Sequence, residues 1–484
     1  MLFNSVEFIF LFLPLTLGGA WLLLRVGNRV TVLWLLAASV FFYGWWSPRH
    51  VVLLLASIAF NYTIGSMLVR GGGRFRGLLL AIGVGSDLAL LAFFKYADFL
   101  LASLTHLPGV DLEPLGILLP IGISFYTFTQ IAFLVDAWRG EVKQCEPLSY
   151  ALFVTYFPHL IAGPILHHKE MIPQFRALAP GRIAAEDLAV GITIFVIGLF
   201  KKVILADGVA RFVPLGFEPG LEPTLAAAWA GALAFALQLY FDFSGYSDMA
   251  VGMSRMFGVH LPLNFASPYK ATSIIEFWRR WHMTLSRFLR DYLYVPLGGN
   301  RLGPRRRHAN LMATMLLGGL WHGAGWTFVL WGGLHGAFLI VNHFWREWRT
   351  RHGLRGGSLA SALAAGALTF LAVVVGWVPF RAVSLEQAGI VLAGVAGLNG
   401  ISAPHGAAMG LEWAWILGLL LLVWLAPNTQ EILARHLPQM ADRASDVIAP
   451  IWRPTAWHAA AVVAAALVAI GHLGKVSEFL YFQF

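Results

Sequence analysis

Apolar runs of about 17 to 25 residues recur along the whole chain, separated by short polar or glycine- and proline-containing turns. They lie near residues 8–26, 30–46, 51–69, 77–104, 115–137, 187–207, 224–243, 358–379, 411–426 and 456–473. At ~1.5 Å per residue, most can cross ~30 Å of hydrocarbon as single helices. Less regular apolar stretches near 150–166, 246–258, 309–345 and 384–398 predict shorter or re-entrant helices, roughly ten to thirteen helices in all. No internal repeat or low-complexity tail divides the chain. The pattern predicts an all-α, polytopic integral membrane protein with one membrane domain over residues 1–484.

Composition strengthens this reading. Hydrophobic residues fill 58% of the 484 positions and charged residues only 12%, against ~25% in soluble domains. Mean hydropathy is +0.69. A water-soluble fold of this size could not build a charged exterior from such a sequence. The 19 tryptophans suit two membrane interfaces. The net charge of +9 fits Lys- and Arg-rich cytoplasmic loops over anionic lipid, and it does not point to nucleic acid. The single cysteine, Cys145, excludes an internal disulfide. Its setting, KQCEP, is that of an ordinary loop residue rather than a catalytic thiol. The first apolar run has no positive leading region, meets Glu7 first and shows no small-residue cleavage pattern before Arg25. It reads as a retained span, not a signal peptide.

Basic loops set the expected orientation. Arg25 and Arg29, the segment RGGGRFR at 70–76, and Arg139 with Lys143 alternate consistently if they are cytoplasmic and the N-terminus lies outside. RLGPRRR at 301–307 and the group Arg346, Arg349, Arg351 and Arg355 join them on that side. An even number of crossings then separates 307 from 346. The piece 309–321 has 13 residues, too short to span alone, so the HGAG at 322–325 would turn inside the membrane before a return helix over 326–344. Irregular backbone at that depth must be buried in protein or line a wet cavity.

Ionisable groups in such surroundings raise functional questions. The candidates are Asp136, His159, Asp242, Asp248, Glu276, His282, His322 and His335. Residues 276–292 read as one amphipathic helix at the cytoplasmic interface, with Trp278, Trp281, Leu285, Phe288, Leu289 and Tyr292 on one face. Arg279, Arg280, Arg287, Arg290 and Asp291 fall on the other face, able to meet lipid phosphate or an anionic cosubstrate. His282 falls beside the tryptophans, where spacing alone favours a structural histidine. His322 and His335 stand 13 positions apart, about 140° on a continuous helix, so they do not face a common ligand. His322, at a glycine break, could be a packing device or a general base. Asp242 and Asp248 flank a Ser-Gly pair and read as a polar network. His159, in the re-entrant-looking PHLIAGPILHH, reads as a satisfied buried histidine. No metal-ligand spacing and no GxSxG elbow occurs in the sequence.

The segments LNFASPYKATSIIEFWRRWHMTLSRFLRDYLYVPLGGNR (263–301) and LWHGAGWTFVLWGGLHG (320–336) resemble the signature blocks of the membrane-bound O-acyltransferases (MBOAT). PIGISFYTFTQIAFLVDAWRGEV, YFPHLIAGPI, GLFKKVILADGVA, QLYFDFSGYSDMAVG, the LFNSVEFIFLFLP start and the FLYFQF end extend the likeness over essentially the whole chain. It is strongest to the bacterial branch concerned with alginate O-acetylation.

The resemblance implies a ring of helices around a thinned centre and an acetyl-CoA-dependent O-acetyltransferase in the bacterial inner membrane. It implies transfer toward an exported polysaccharide through a periplasmic acetyltransferase partner. It maps the family's essential histidine onto His322 and a second functional histidine onto His282. Trp278, Arg279, Arg280, Asn300, Trp321 and Asp242 are then candidates for binding substrate. Acetyl-CoA acts as the donor substrate; no bound cofactor or metal is expected, because a thiolate leaves readily without one. His335, in a family-typical GLHG, remains structural. A transporter using Asp242 and Asp248 as proton carriers and a non-catalytic scaffold for polymer export are the rival readings.

Overall fold

Proline, glycine and small polar residues set where the helices begin and end. The helix Asn28–Trp46 starts after Gly27 and stops at Ser47, and Pro48 then opens Pro48–Arg70. Ser384 caps Leu385–Val395 by accepting the Gln387 N–H, while Gln387 Oε1 takes the N–H of Val383. The computed structural model describes residues 1–71, 73–105, 107–161, 163–179, 184–354, 357–401, 410–437, 452–474 and 479–480. Ala162, Arg355 and the last four residues of the FLYFQF end lie outside these. Among the described residues every regular element is helical. Among the described residues, seven helices are long and apolar enough to cross a membrane: Asn28–Trp46, Pro48–Arg70, Arg76–Leu104, Ala185–Ala210, Leu225–Met256, Trp326–Arg351 and Leu359–Arg381. The protein is an all-α polytopic membrane protein.

Three expectations change. The predicted span 115–137 is helical only over Ile123–Trp138. Pro114, Pro120 and the positive-φ Gly116 and Gly122 keep the preceding segment irregular. There the Leu115 and Ile117 N–H groups donate to the Asp98 carboxylate at 2.7 and 2.9 Å. The stretches 224–243 and 246–258 are one 32-residue helix, Leu225–Met256, so Ser244-Gly245 is no break. The first leg of the Gly-rich segment is Gly303–His322, 20 residues rather than 13, because Arg305–Arg307 belong to its first turns.

The described residues form two compact units. The first contains Met1–Leu199, Tyr246–Pro262 and Pro454–Phe482; the second contains Phe200–Gly245 and Leu263–Arg453. In the first, Gly191 and Gly252 bring two helices to backbone contact, since a Cβ on either would meet the other's carbonyl oxygen at 2.7 or 2.5 Å. Arg255 pairs with Asp187 at 3.0 Å beside this crossing. His159 is buried; its Nε2 donates to the Phe153 carbonyl at 3.0 Å, while its Nδ1 meets no hydrogen-bond partner among the described residues, so the histidine expected to be satisfied is only half so. Asp136 faces His168 at 3.2 Å and Arg139 at 3.8 Å. Cys145 is half-buried in its loop, and burial pushes its thiol up to about 11 despite the nearby Arg70 and Arg176. Such a thiol carries little thiolate at neutral pH. Cys145→Ser is expected to retain full activity, and Cys145 to resist alkylation in the folded protein at pH 7; rapid stoichiometric labelling with loss of activity would contradict this.

In the second unit, Gly303–His322 and Trp326–Arg351 form a tight hairpin. A Cβ at Gly319 would lie 2.3 Å from the Phe328 carbonyl oxygen, and one at Gly332 would lie 2.3 Å from that of Met315. Lipid supplies no hydrophobic drive between helices, so this close approach and its dispersion contacts hold the pair. Arg307 and Glu347 join the legs at 2.6 Å. Gly332→Leu is expected to force the legs apart, costing about 1–3 kcal/mol or more. Its signature is a clear drop in detergent-solubilised monodisperse protein; a wild-type yield and melting temperature would contradict it.

Candidate active site

The site lies in the second unit and is built at two helix breaks. At the first, Ser273 caps the helix Ile274–Arg280 by accepting the Glu276 N–H. The Glu276 carboxylate takes the Thr272 N–H and hydroxyl, at 2.8 and 2.9 Å, and pairs with Arg280 at 2.6 Å. Partial burial acts to raise the carboxyl, but the bonds from Thr272 and the Arg280 guanidinium outweigh it and hold Glu276 below its ordinary range. The helix ends at Arg280, and a second one, Met283–Leu289, begins after His282. The single amphipathic helix expected over 276–292 is therefore split. His282 occupies the split in the left-handed region (φ 42°), a conformation that costs a non-glycine residue of order 1 kcal/mol or more.

Asn264 makes that turn possible. The first turn of a helix leaves N–H groups without intrahelical partners. Here Met283 N–H donates to the Asn264 main-chain oxygen at 2.9 Å, and Thr284 N–H donates to Asn264 Oδ1 at 3.3 Å. The Thr284 hydroxyl donates to the same Oδ1 at 2.9 Å. Because a main-chain N–H can only donate, the side-chain atom it faces is the amide oxygen. That oxygen also lies 3.1 Å from His282 Nδ1. His282 Nδ1 must then carry a proton and donate it, which leaves Nε2 as a bare acceptor. Nε2 is buried and meets no hydrogen-bond partner among the described residues. Phe243 packs edge-on against the ring at 4.8 Å.

At the second break, His322 is the last residue of Gly303–His322, and Gly323 leaves the helix in extended backbone. A Cβ at Gly323 would collide with the Phe328 ring at 2.1 Å. Trp321, Trp331 and Phe380 surround the imidazole at centroid distances of 5.0, 5.1 and 5.3 Å, all edge-to-face. The rings of His322 and His282 are 6.4 Å apart, and Trp321 lies 6.1 Å from His282. A centroid separation of 6.4 Å leaves room for one small group to contact both rings. Both are almost wholly buried.

The other candidates separate. His335 contacts Trp331 at 4.9 Å, Trp278 at 5.2 Å and Phe338 at 5.6 Å, so Trp331 touches both histidines of the Gly-rich segment. His335 packs within an aromatic cluster; His322 neighbours His282. Trp278 is half-buried there and Trp321 is buried beside His322. Arg280 is tied to Glu276, whereas Arg279, Arg305 and Arg306 are exposed. Asn300 lies in an exposed turn, which Asn310 holds through the Gly299 carbonyl at 2.9 Å. Asp242 is buried on Leu225–Met256 and pairs with Lys202 Nζ at 2.6 Å, which also meets Asp207 at 2.9 Å. Its carboxylate is thus engaged in an ion pair. Asn264, Phe243, Trp331 and Phe380 were invisible to spacing arguments, since nothing in the sequence ties them to positions 282 and 322.

The chain matches known proteins over most of its length. The profile of MBOAT, the membrane-bound O-acyltransferase family, matches residues 123–364, which include both breaks. The peptidoglycan O-acetyltransferase of Helicobacter pylori is 42% identical over 434 residues, 84% of this chain and 81% of its own. The Pseudomonas putida protein named "Probable alginate O-acetylase AlgI" is 45% identical over 395 residues, 80% of this chain and 79% of its own. The teichoic acid D-alanyltransferase of Streptococcus thermophilus is 27% identical over 240 residues, 46% and 57% of the two chains. With its helical architecture, its paired helix breaks and these matches, the chain belongs to the membrane-bound O-acyltransferase family and is an acyltransferase.

Proposed function

We propose that this acyltransferase takes acetyl from cytoplasmic acetyl-CoA and passes it across the inner membrane for O-acetylation of an exported polysaccharide, through a periplasmic acetyltransferase partner. The observation that carries the chemistry is the juxtaposition of His322 and His282 at 6.4 Å inside a cage of aromatic rings. The relatives named for peptidoglycan and alginate O-acetylation support the acetyl and polysaccharide assignment.

In this reading the basic loops are cytoplasmic and the N-terminus is periplasmic. Coenzyme A phosphates meet the exposed Arg279, Arg305 and Arg306, whose guanidinium groups are not occupied by the Glu276 and Glu347 pairs. The acceptor hydroxyl gives its proton to His322 as its oxygen bonds to the acyl carbon. The carbon–sulfur bond breaks, and the proton passes to the departing thiolate, releasing the free thiol. The carbonyls at the C-terminal end of Gly303–His322 favour the positive charge that develops on His322. His282 orients the incoming groups through a hydrogen bond that Nε2 accepts from a substrate O–H or N–H. Asn264 is a positioning residue that keeps Nε2 free for this. Trp321 lines the site beside His322, Trp278 packs against Trp331 and His335, and Asp242 is held in its ion pair with Lys202.

The physiological test is the polymer itself. Deleting the chain from its host is expected to remove ester-linked acetate from the exported polysaccharide while polymer is still made. Unchanged acetate would exclude the proposed role, and loss of the polymer would favour a transport or scaffold role.

A further inference from the structure

Three helices of the first unit, Pro48–Arg70, Arg76–Leu104 and Ile123–Trp138, share a buried polar cluster that the proposed acyl transfer does not use. Asn61 Nδ2 donates to Asp87 Oδ1 at 2.8 Å and to Gln130 Oε1 at 2.6 Å. The Ser57 hydroxyl donates to Gln130 Oε1 at 2.7 Å. Asn61 and Gln130 are fully buried, and Asp87 is 3% exposed. Ser57 with Asn61, and Tyr126 with Gln130, are four positions apart and so share a helix face.

The cluster is incomplete. Asp87 Oδ2, Asn61 Oδ1, Gln130 Nε2 and the Tyr126 hydroxyl are all buried and meet no partner among the described residues. The Tyr126 and Tyr150 hydroxyls lie within Coulombic range of the Asp87 carboxyl. No Lys, Arg or His pairs with it among the described residues. An ionised carboxylate here would be a bare charge in apolar surroundings held by one hydrogen bond, an arrangement that membrane interiors strongly disfavour. The orphaned atoms are two acceptors, one donor and one hydroxyl that is both. A metal ion would meet the donor Gln130 Nε2 as well as the acceptors. A proton with a bridging water matches the mixed set.

We propose that Asp87 is a proton-binding site of the first unit. One proton adds to the carboxylate at Oδ2 to give the neutral acid, which removes the charge, and water completes the bonds of Asn61, Gln130 and Tyr126. Infrared spectroscopy of the full-length protein in lipid nanodiscs tests this. At pH 7 the wild type is expected to show a protonated-carboxyl C=O band that shifts with ¹³C-aspartate labelling and is missing from Asp87→Asn. If Asp87→Asn does not insert, Asp87→Glu is expected to move one such band from the aspartate label to a glutamate label. The band is expected to disappear on raising the pH, and the wild type to lose thermal stability as the pH rises from the ordinary carboxylate range up to that point and to level off above it, because over that interval only the folded state holds the proton. A spectrum at pH 7 unchanged by these substitutions would overturn the proposal. So would a band that sodium or potassium ions abolish at fixed pH, since the site would then hold a cation.

Discussion

His322→Ala is expected to insert in the membrane and lose acyl transfer by about 10²–10⁴-fold, the usual contribution of a positioned general base. The loss should fall on kcat, because the imidazole is proposed to act on the reacting proton rather than on remote parts of coenzyme A. Truncation also empties a volume bounded by Trp321, Trp331 and Phe380, a change that costs aromatic-lined cores a few kcal/mol. His322→Gln keeps most of that volume and a polar tip, so it separates the two effects. It should melt near the wild type and still be inactive. Wild-type turnover by either variant would remove His322 from the mechanism.

Asn264→Ala carries the second large effect. Without the amide oxygen, His282 Nδ1–H and the Thr284 N–H and hydroxyl lose their shared acceptor. The ring is then free to place its proton on Nε2 and to rotate, and the αL turn at His282 loses its brace. A misplaced catalytic group costs about 10²-fold, and a loss of that order in kcat is expected with a smaller change in KM. Asn264→Asp supplies the discriminating control. Its carboxylate accepts the same three hydrogen bonds, so it should recover much of the lost rate. If Asn264→Asp were as slow as Asn264→Ala while both melt like the wild type, the tautomer would not be what Asn264 controls.

How far the sequence alone reached depends on what kind of information each feature carries. The membrane architecture is written in apolar run length, and Asn28–Trp46, Pro48–Arg70 and Leu359–Arg381 fall within a few residues of their predicted spans. Run length failed at 115–122, where turn chemistry decides, because prolines and positive-φ glycines override hydropathy. It failed again at Gly303–His322, where three arginines sit inside a helix that apolar counting starts too late. The helical wheel over 276–292 presumed continuity, and the presumption broke at His282, which Asn264 draws out of the helix from 18 positions upstream. The wheel made His282 a packing residue; only the resemblance to a family marked it for chemistry. The proximity of His282 and His322 is a tertiary fact, 40 positions apart in sequence, and neither periodicity nor spacing encodes it. The glycines of the Gly303–His322/Trp326–Arg351 hairpin are legible as a break at HGAG, but their closer purpose, backbone contact at Gly319 and Gly332, requires the packed partner.

In the proposed function this chain itself, through His322, moves an acyl group from acetyl-CoA. The most direct measurement is single-turnover release of free coenzyme A from radiolabelled acetyl-CoA by the purified full-length protein in lipid, with a soluble hydroxyl acceptor present. Acceptor-dependent release with matching appearance of label on the acceptor is expected for the wild type, and neither for folded His322→Gln. Equal release and labelling by the two proteins, or labelling that needs only a soluble partner and not this chain, would contradict it.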